Sequence, residues 1–294
     1  MVQLHKYSGA GNTFVVLDGR REDVSAYRTP ERISALCKEC GTDGLMILTD
    51  DTDYDFRMEF YNPDGSGGMM CGNGGRCIVA FADALGIRPG DGRLYRFLAP
   101  DGPHTAEILA RESGCKTVRL RMIDVHEFYP VLDGWFVDTG TRHFVRFVPD
   151  VEAVDIEEEG RRARWDPVFA PIGANANFVS VAPDGVLHVR TFEKGVEGET
   201  LACGTGITAS AIATYLAAPP AVASSRSARN YFSDKFAEKP ISAPASTTPA
   251  HATAGEAVQY NIRARIARLA VEFRPGEGCF TDVYLTGPAE EISA

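Results

Sequence analysis

The chain has 294 residues, 44% of them hydrophobic, and its 40 acidic against 30 basic side chains give a formal net charge of −10. That balance supplies no basic face for a nucleic acid or an anionic membrane, and no stretch approaches the roughly 20 apolar residues of a membrane span, so a small-molecule substrate is expected. The opening residues Met1-Val2-Gln3-Leu4-His5-Lys6 lack an apolar signal core, and seven cysteines without a small-domain disulfide framework fit a reducing compartment, so the expected location is the cytoplasm.

In chain order, strand-like runs at 14–17, 44–48, 56–61, 118–122, 134–137, 144–148, 178–181, 187–192, 269–273 and 282–285 alternate with helix-like runs at 31–40, 77–85 and 208–216. The pattern predicts a mixed α/β fold with more strand than helix. A chain of this length can bury one large core or two smaller ones. Two domains are expected, 1–124 and 125–280, with a fresh start at Val125. Segment 217–257 is dominated by Ala, Pro, Ser and Thr, too little apolar surface to offset ordering, and reads as a flexible insertion whose aromatic island at 230–236 could dock or act as a lid.

Two cysteines open the same glycine-rich motif: Met70-Cys71-Gly72-Asn73-Gly74-Gly75 and Ala202-Cys203-Gly204-Thr205-Gly206-Ile207. Each motif follows a strand-like run and precedes a helix-like one, which puts each thiol at a helix N-terminus. There the unpaired amides and the helix dipole favour an anion and lower a thiol pKa. The upstream segments Phe60-Tyr61-Asn62 and Phe192-Glu193-Lys194 lie equally far from their cysteines to within one residue. The chain therefore reads as two copies of one unit, facing each other.

A facing pair of thiols can invert a stereocentre, one thiolate taking a proton from carbon while the opposite thiol gives one back. A thiol pKa near about 8.5 can be tuned so that one residue is base and its twin acid. The carbanion needs preorganised donors for the carboxylate, which the amides at Gly72, Asn73, Gly204 and Thr205 could supply. Other uses of the residues stay open at this level. Cys71 with Cys203, or Cys37 with Cys40, could serve thiol–disulfide redox chemistry, whereas no second pair or His cluster completes a zinc site around Cys37-Lys38-Glu39-Cys40. Cys77, Cys115 and Cys279 read as small buried hydrophobes, and neither glycine motif has the Lys-Ser/Thr ending of a P-loop.

Six segments together give a specific resemblance. Lys6-Tyr7-Ser8-Gly9-Ala10-Gly11-Asn12-Thr13-Phe14, Tyr61-Asn62-Pro63-Asp64-Gly65-Ser66, the Cys71 motif extended through Arg76-Cys77, Gly173-Ala174-Asn175-Ala176-Asn177-Phe178, Glu199-Thr200-Leu201-Ala202-Cys203-Gly204-Thr205-Gly206 and Leu285-Thr286-Gly287-Pro288-Ala289-Glu290 resemble the diaminopimelate epimerases, in order and over nearly the whole chain outside the insertion. The resemblance implies a cofactor-independent, PLP-free isomerase that interconverts LL- and meso-diaminopimelate in lysine and cell-wall precursor synthesis. It also implies two similar α/β domains, each a sheet curled around a central helix with the active site in the cleft between them. The last strand, about 281–294, would return to the first domain, and the enzyme would be a homodimer.

Carried over position by position, the resemblance implies Cys71 and Cys203 as the catalytic pair and Asn12, Asn62 and Asn175 as substrate ligands. An asparagine offers donor and acceptor alike to an ammonium or a carboxylate. Glu193 suits an ammonium. Lys194 stands where the family carries arginine and lacks its bidentate fork. His143 matches a histidine near the active site, and Thr141 stands where many relatives have Asn or Ser. Asn12 and Asn62, beside Gly and Pro, would also serve as turn formers. Within the same reaction class, a proline or hydroxyproline racemase would share the two thiols without needing a second amino-carboxylate site.

Overall fold

The computed structural model describes residues 2–68, 71–112, 114–217 and 256–293. The predicted insertion therefore lies outside the described residues except for Ala217, Glu256 and Ala257. The chain divides into two compact units, Met1–Arg121 with Thr286–Ala294, and Met122–Leu285.

The first unit opens with a hairpin, β1 (His5–Gly9) and β2 (Asn12–Asp18), turned by Ala10 and Gly11, both at positive φ. A two-residue loop of that shape matches the twist of the flanking strands and puts Asn12 directly after the turn. Helix α1 (Pro30–Cys40) follows, with Thr29 accepting the Arg32 N–H, proline at its first position and Gly41 in the left-handed region at its end. It carries the chain to β3 (Leu45–Thr49), parallel to β2 and antiparallel to β4 (Phe56–Tyr61). Helix α2 (Gly72–Ala84) then leads to β5 (Leu94–Ala99), parallel to β4, and to the meander β6 (Gly102–Glu112) and β7 (Cys115–Arg121). Residues 287–290 pair with β7 and residues 290–292 with β1, which closes the strands into a ring. Inside it α2 packs on β1, β2, β3, β6 and β7, with residues 72–83 all buried.

Strands β2 and β3 are covered on both faces, which is why they read as unbroken apolar runs. Val15, Leu17, Leu45 and Ile47 meet Ile33, Leu36 and Cys37 of α1, and the alternate residues point the other way. Burial of each such side chain stabilises the unit by roughly 1.5–3 kcal/mol.

The second unit repeats the same order. After β8 (Phe128–Val131) come β9 (Gly134–Asp138) and β10 (Arg142–Phe147) as an antiparallel pair, and helix α3 (Ile156–Arg164) crosses to β11 (Asn175–Val181), parallel to β10. Strand β12 (Leu187–Glu193) is antiparallel to β11 and carries the short β13 (Gly198–Thr200) beside it. Helix α4 (Gly204–Ala217) leads to β14 (Val258–Arg263), parallel to β12, then β15 (Arg268–Gly276) and β16 (Cys279–Ile292), whose end is the closing strand of the first unit. Strand for strand, β1-β2-α1-β3-β4-α2-β5-β6-β7 and β9-β10-α3-β11-β12-α4-β14-β15-β16 are one topology twice.

Helix α4 is buried along its length against β9, β10, β11, β12 and β15. Its hydroxyls stay satisfied by bonding back one turn: Thr208 to the Gly204 carbonyl, Ser210 to Gly206 and Thr214 to Ser210, at 2.7–3.0 Å. Both central helices begin several residues before the predicted 77 and 208, because the glycine motifs are themselves helical. Glycine is a poor helix former, but a Cβ at Gly74 would sit 3.3 Å from the Met46 sulfur. Among the described residues no helix is long and apolar enough to cross a membrane.

Candidate functional site

In the first unit Cys71 is the cap residue of α2, with φ −89° and ψ 133°, half-buried, its carbonyl accepting the Gly75 N–H at 2.7 Å. The thiol therefore stands at the positive end of a buried helix, where a thiolate is favoured. Two residues on, the buried Asn73 donates through its amide nitrogen to the Asn12 side-chain oxygen. One turn into the helix, Arg76 is completely buried. It donates to the Gly72 carbonyl at 3.2 Å, to Asn73 Oδ1 at 2.9 Å and to the Pro288 carbonyl at 3.4 Å. Burial pulls its pKa down from the usual guanidinium range, while the charges of Cys77 and Cys71 act in the opposite direction. Asn62 sits in the turn 62–66, donating to Ser66 Oγ at 3.0 Å, and its backbone carbonyl accepts the Gly65 N–H. The turn-forming role is real, and it leaves the Asn62 carboxamide oxygen to other partners.

In the second unit Cys203 repeats the cap, its carbonyl accepting the Ile207 N–H at 2.8 Å, with its sulfur 3.4 Å from the Thr205 hydroxyl. The Thr205 carbonyl is held by the Thr139 hydroxyl at 3.1 Å. Glu193 is the last residue of β12; burial raises its carboxyl pKa, and the nearby Thr200 and Cys203 side chains act in the opposite direction without outweighing it. Lys194 follows, and its ammonium makes no ion pair with any described residue.

Asn175 is buried and ties two sequence-predicted positions together. Its Oδ1 accepts the Lys194 backbone N–H at 2.7 Å, and its Nδ2 donates to the Arg142 carbonyl at 2.9 Å and the Thr141 hydroxyl at 3.3 Å. With both amide hydrogens used, only one oxygen lone pair remains for a ligand. The loop after Lys194 is pinned to α3: Glu197 accepts from Arg164 at 3.2 Å, from the Trp165 indole at 3.2 Å and from the Gly195 N–H at 3.1 Å.

His143 is fully buried, and burial lowers its pKa to about 3. Asn177 fixes its form. The Asn177 amide nitrogen donates to the Phe144 carbonyl at 3.1 Å and lies 3.0 Å from His143 Nδ1, so Nδ1 is the acceptor and the proton is on Nε2. Among the described residues Nε2 has no hydrogen-bond partner. Gly206 must be glycine, because a Cβ there would lie 2.3 Å from Asn177 Oδ1 and 3.3 Å from His143 Cε1.

The structure thus gathers Asn12, Cys71, Gly72 and Asn73 in one unit. In the other it gathers Cys203, Gly204, Thr205 and Glu193, with Thr141, Asn175 and Lys194 joined by hydrogen bonds. Arg76 and Asn177 were not singled out by sequence, although both lie inside quoted motifs. An arginine in a helix start of glycines and apolar residues, and an asparagine two places from Asn175 on the same strand face, are the signals they left. Burial pushes the thiols of Cys37, Cys77 and Cys115 up, which keeps them protonated and unreactive.

Residues 4–116 and 135–223 match the diaminopimelate epimerase family. A diaminopimelate epimerase from Chlorobaculum tepidum is 42% identical over 216 residues, covering 71% of this chain and 81% of the relative. Another, from Flavobacterium psychrophilum, is 33% identical over 297 residues, 99% of this chain and 98% of the relative. Among solved structures, a hydroxyproline epimerase from Agrobacterium vitis has a TM-score of 0.64 at 15% identity, covering 99% of this chain and 89% of that one, a likeness of fold. With the family matched in both halves and a relative aligned along nearly the full length, the chain belongs to the diaminopimelate epimerase family.

Proposed function

We propose that the chain interconverts LL- and meso-diaminopimelate by two-base proton transfer between Cys71 and Cys203, in lysine and peptidoglycan precursor synthesis. The observation that supports this best is the repeated cap. Both cysteines precede a buried central helix, and both close it with the same carbonyl bond to the amide four residues on. In each turnover one thiolate takes the α-proton and becomes a thiol, while the other thiol delivers a proton to the opposite face and becomes a thiolate. No electrons are exchanged with any other species, and the developing carbanion charge passes into the substrate carboxylate.

The helix-start amides at Gly72, Asn73, Gly204 and Thr205 are the donors for that charge. Asn12 and Asn62 bind substrate from the first unit; Glu193 receives an ammonium and Lys194 a carboxylate from the second. Asn175 and Thr141 hold the Lys194 backbone in place, and His143 supports the Gly206 turn beside Cys203. The chemistry is carried by side chains without PLP, the two compact units are the two epimerase domains, and the enzyme acts in the cytoplasm as a homodimer.

The test is LL-diaminopimelate in deuterated water, with inversion and label uptake followed together. Wild type should show both. Cys71→Ala and Cys203→Ala should each lose inversion, with any residual α-proton exchange confined to opposite stereoisomers. Near wild-type epimerisation by either variant refutes the paired-thiol mechanism, and turnover of hydroxyproline in place of diaminopimelate moves the reading to the racemase branch.

A further inference from the structure

Arg76 is a fully buried cation without a carboxylate partner among the described residues; its acceptors are two carbonyls and an asparagine oxygen. A buried charge without a counter-ion is costly and is retained where it serves something. A guanidinium is also donor-only, with five N–H groups and no lone pair. The atom of Asn73 that faces Arg76 must therefore be Oδ1, which leaves Nδ2 to face Asn12. Because Nδ2 can only donate, the atom of Asn12 that meets it is Oδ1. Two amides that would otherwise be free to flip are set in sequence by one charge, and the NH2 group of the half-buried Asn12 is left without a protein acceptor among the described residues.

We infer that Arg76 is a positioning residue for the epimerisation: through Asn73 it fixes Asn12 with its amide hydrogens presented, so that Asn12 binds a substrate carboxylate oxygen and not an ammonium. This rests on the reading of Asn12 as a substrate residue. The hairpin turn at Ala10-Gly11 holds the Asn12 backbone in place, so the relay has only the side-chain orientation left to decide.

The test is a cycle on the full-length enzyme with Asn12→Ala, Asn73→Asp and the double variant, with Arg76→Met and Arg76→Lys beside them. In Asn73→Asp the carboxylate still pairs with Arg76 but cannot donate. Asn12 then turns its NH2 inward and presents its carbonyl to the substrate carboxylate. The expected result is a roughly 10- to 100-fold rise in KM with kcat within a few-fold, the size of one lost hydrogen bond to a charged group plus the repulsion that replaces it. In the Asn12→Ala background the same change should alter KM less than about two-fold, since it has nothing left to reorient. Arg76→Lys, which remains donor-only, should recover much of the KM lost in Arg76→Met. A silent Asn12→Ala overturns the substrate role of Asn12 and the inference with it. An impaired Asn12→Ala beside a silent Asn73→Asp, or an Asn73→Asp effect undiminished in the double variant, overturns the relay alone. If Arg76→Met does not fold, the Asn12 and Asn73 cycle decides the matter without it.

Discussion

Replacing His143 with glutamine tests the electrostatics of the second unit directly. The imidazole is fully buried, accepts from Asn177 and has its pKa lowered from 6.5 to about 3 by burial. A depressed pKa means that the folded state excludes the proton. The unfolded chain takes it up below about pH 6.5, so the stability is complete above that value and drains away as the pH falls toward 3. Each pH unit removes about 1.4 kcal/mol, which makes the loss about 2 kcal/mol at pH 5 and about 5 kcal/mol in all.

Other groups act in acid with different signs or windows, Glu193 and Asp83 among them. Burial raises Glu193, whose protonated form the folded state prefers, so its contribution is present in acid and lost as the pH rises through its folded pKa. Asp83 is held far below the usual carboxylate range by Arg111, Tyr95 and Lys116 against its burial, and its contribution is lost only as the pH falls below its ordinary value of 3.8. Comparing variant with wild type cancels both. Gln can still accept from Asn177 but does not titrate, so the stability gap between wild type and His143→Gln should narrow by about 2 kcal/mol between about pH 7 and about pH 5, read by urea unfolding. The imidazole carbon shifts of His143 should stay constant over the same range in NMR. A gap independent of pH, or an imidazole titrating near its ordinary value, refutes the assignment of a neutral, buried His143.

Two further outcomes follow from the second unit. Gly206→Ala drives a methyl to 2.3 Å from Asn177 Oδ1; the forced shift should cost about 1–3 kcal/mol and at least about ten-fold in kcat through Thr205 and Cys203, and an undiminished kcat would show that the His143–Asn177 support does not bear on the thiol. Glu197→Ala frees the loop that begins with Glu193 and Lys194 from Arg164 and Trp165, so KM should rise several-fold with kcat nearly kept and Trp165 fluorescence should change; an unchanged KM would mean that the loop holds its shape without this clasp.

The parts of the fold legible in the sequence are those where burial leaves a continuous or periodic trace. Strands such as 14–17 and 44–48 are covered on both faces and read as apolar runs. The strands that were missed have mixed faces: in β14, Gln259, Asn261 and Arg263 alternate outward with Tyr260 and Ile262 inward, and β6 is mostly half-exposed. Helix α3 escaped because nine residues with Glu157, Glu158, Glu159, Arg161 and Arg162 bury only Ile156, Gly160 and Arg164. At the site, the cysteines were legible because glycine motifs repeat. The hydrogen-bond partners were not: Asn177 meets His143, and Asn73 meets Asn12, only because the fold brings together residues far apart in the chain, and Arg76 reaches Asn73 and Gly72 one turn back in a helix that starts earlier than the sequence pattern indicates.

What repeats is backbone, and what differs is charge. Arg76 stands five places after Cys71 and bonds the carbonyl of Gly72; Thr208 stands five places after Cys203 and bonds the carbonyl of Gly204. The same helical geometry thus holds a buried cation in one copy and a neutral hydroxyl in the other. Beside Cys203 the ionisable neighbour is instead an acid, Glu193, whose pKa burial raises. Arg76 lies within electrostatic reach of Cys71, and the acid Glu193 stands beside Cys203, so the polar surroundings of the two thiols differ where their helices repeat. A two-base inversion begins from one thiolate and one thiol. Under the paired-thiol mechanism proposed above, identical surroundings would not distinguish the acid from the base, and the unlike polar neighbours of two like helices are the feature by which the two sites differ.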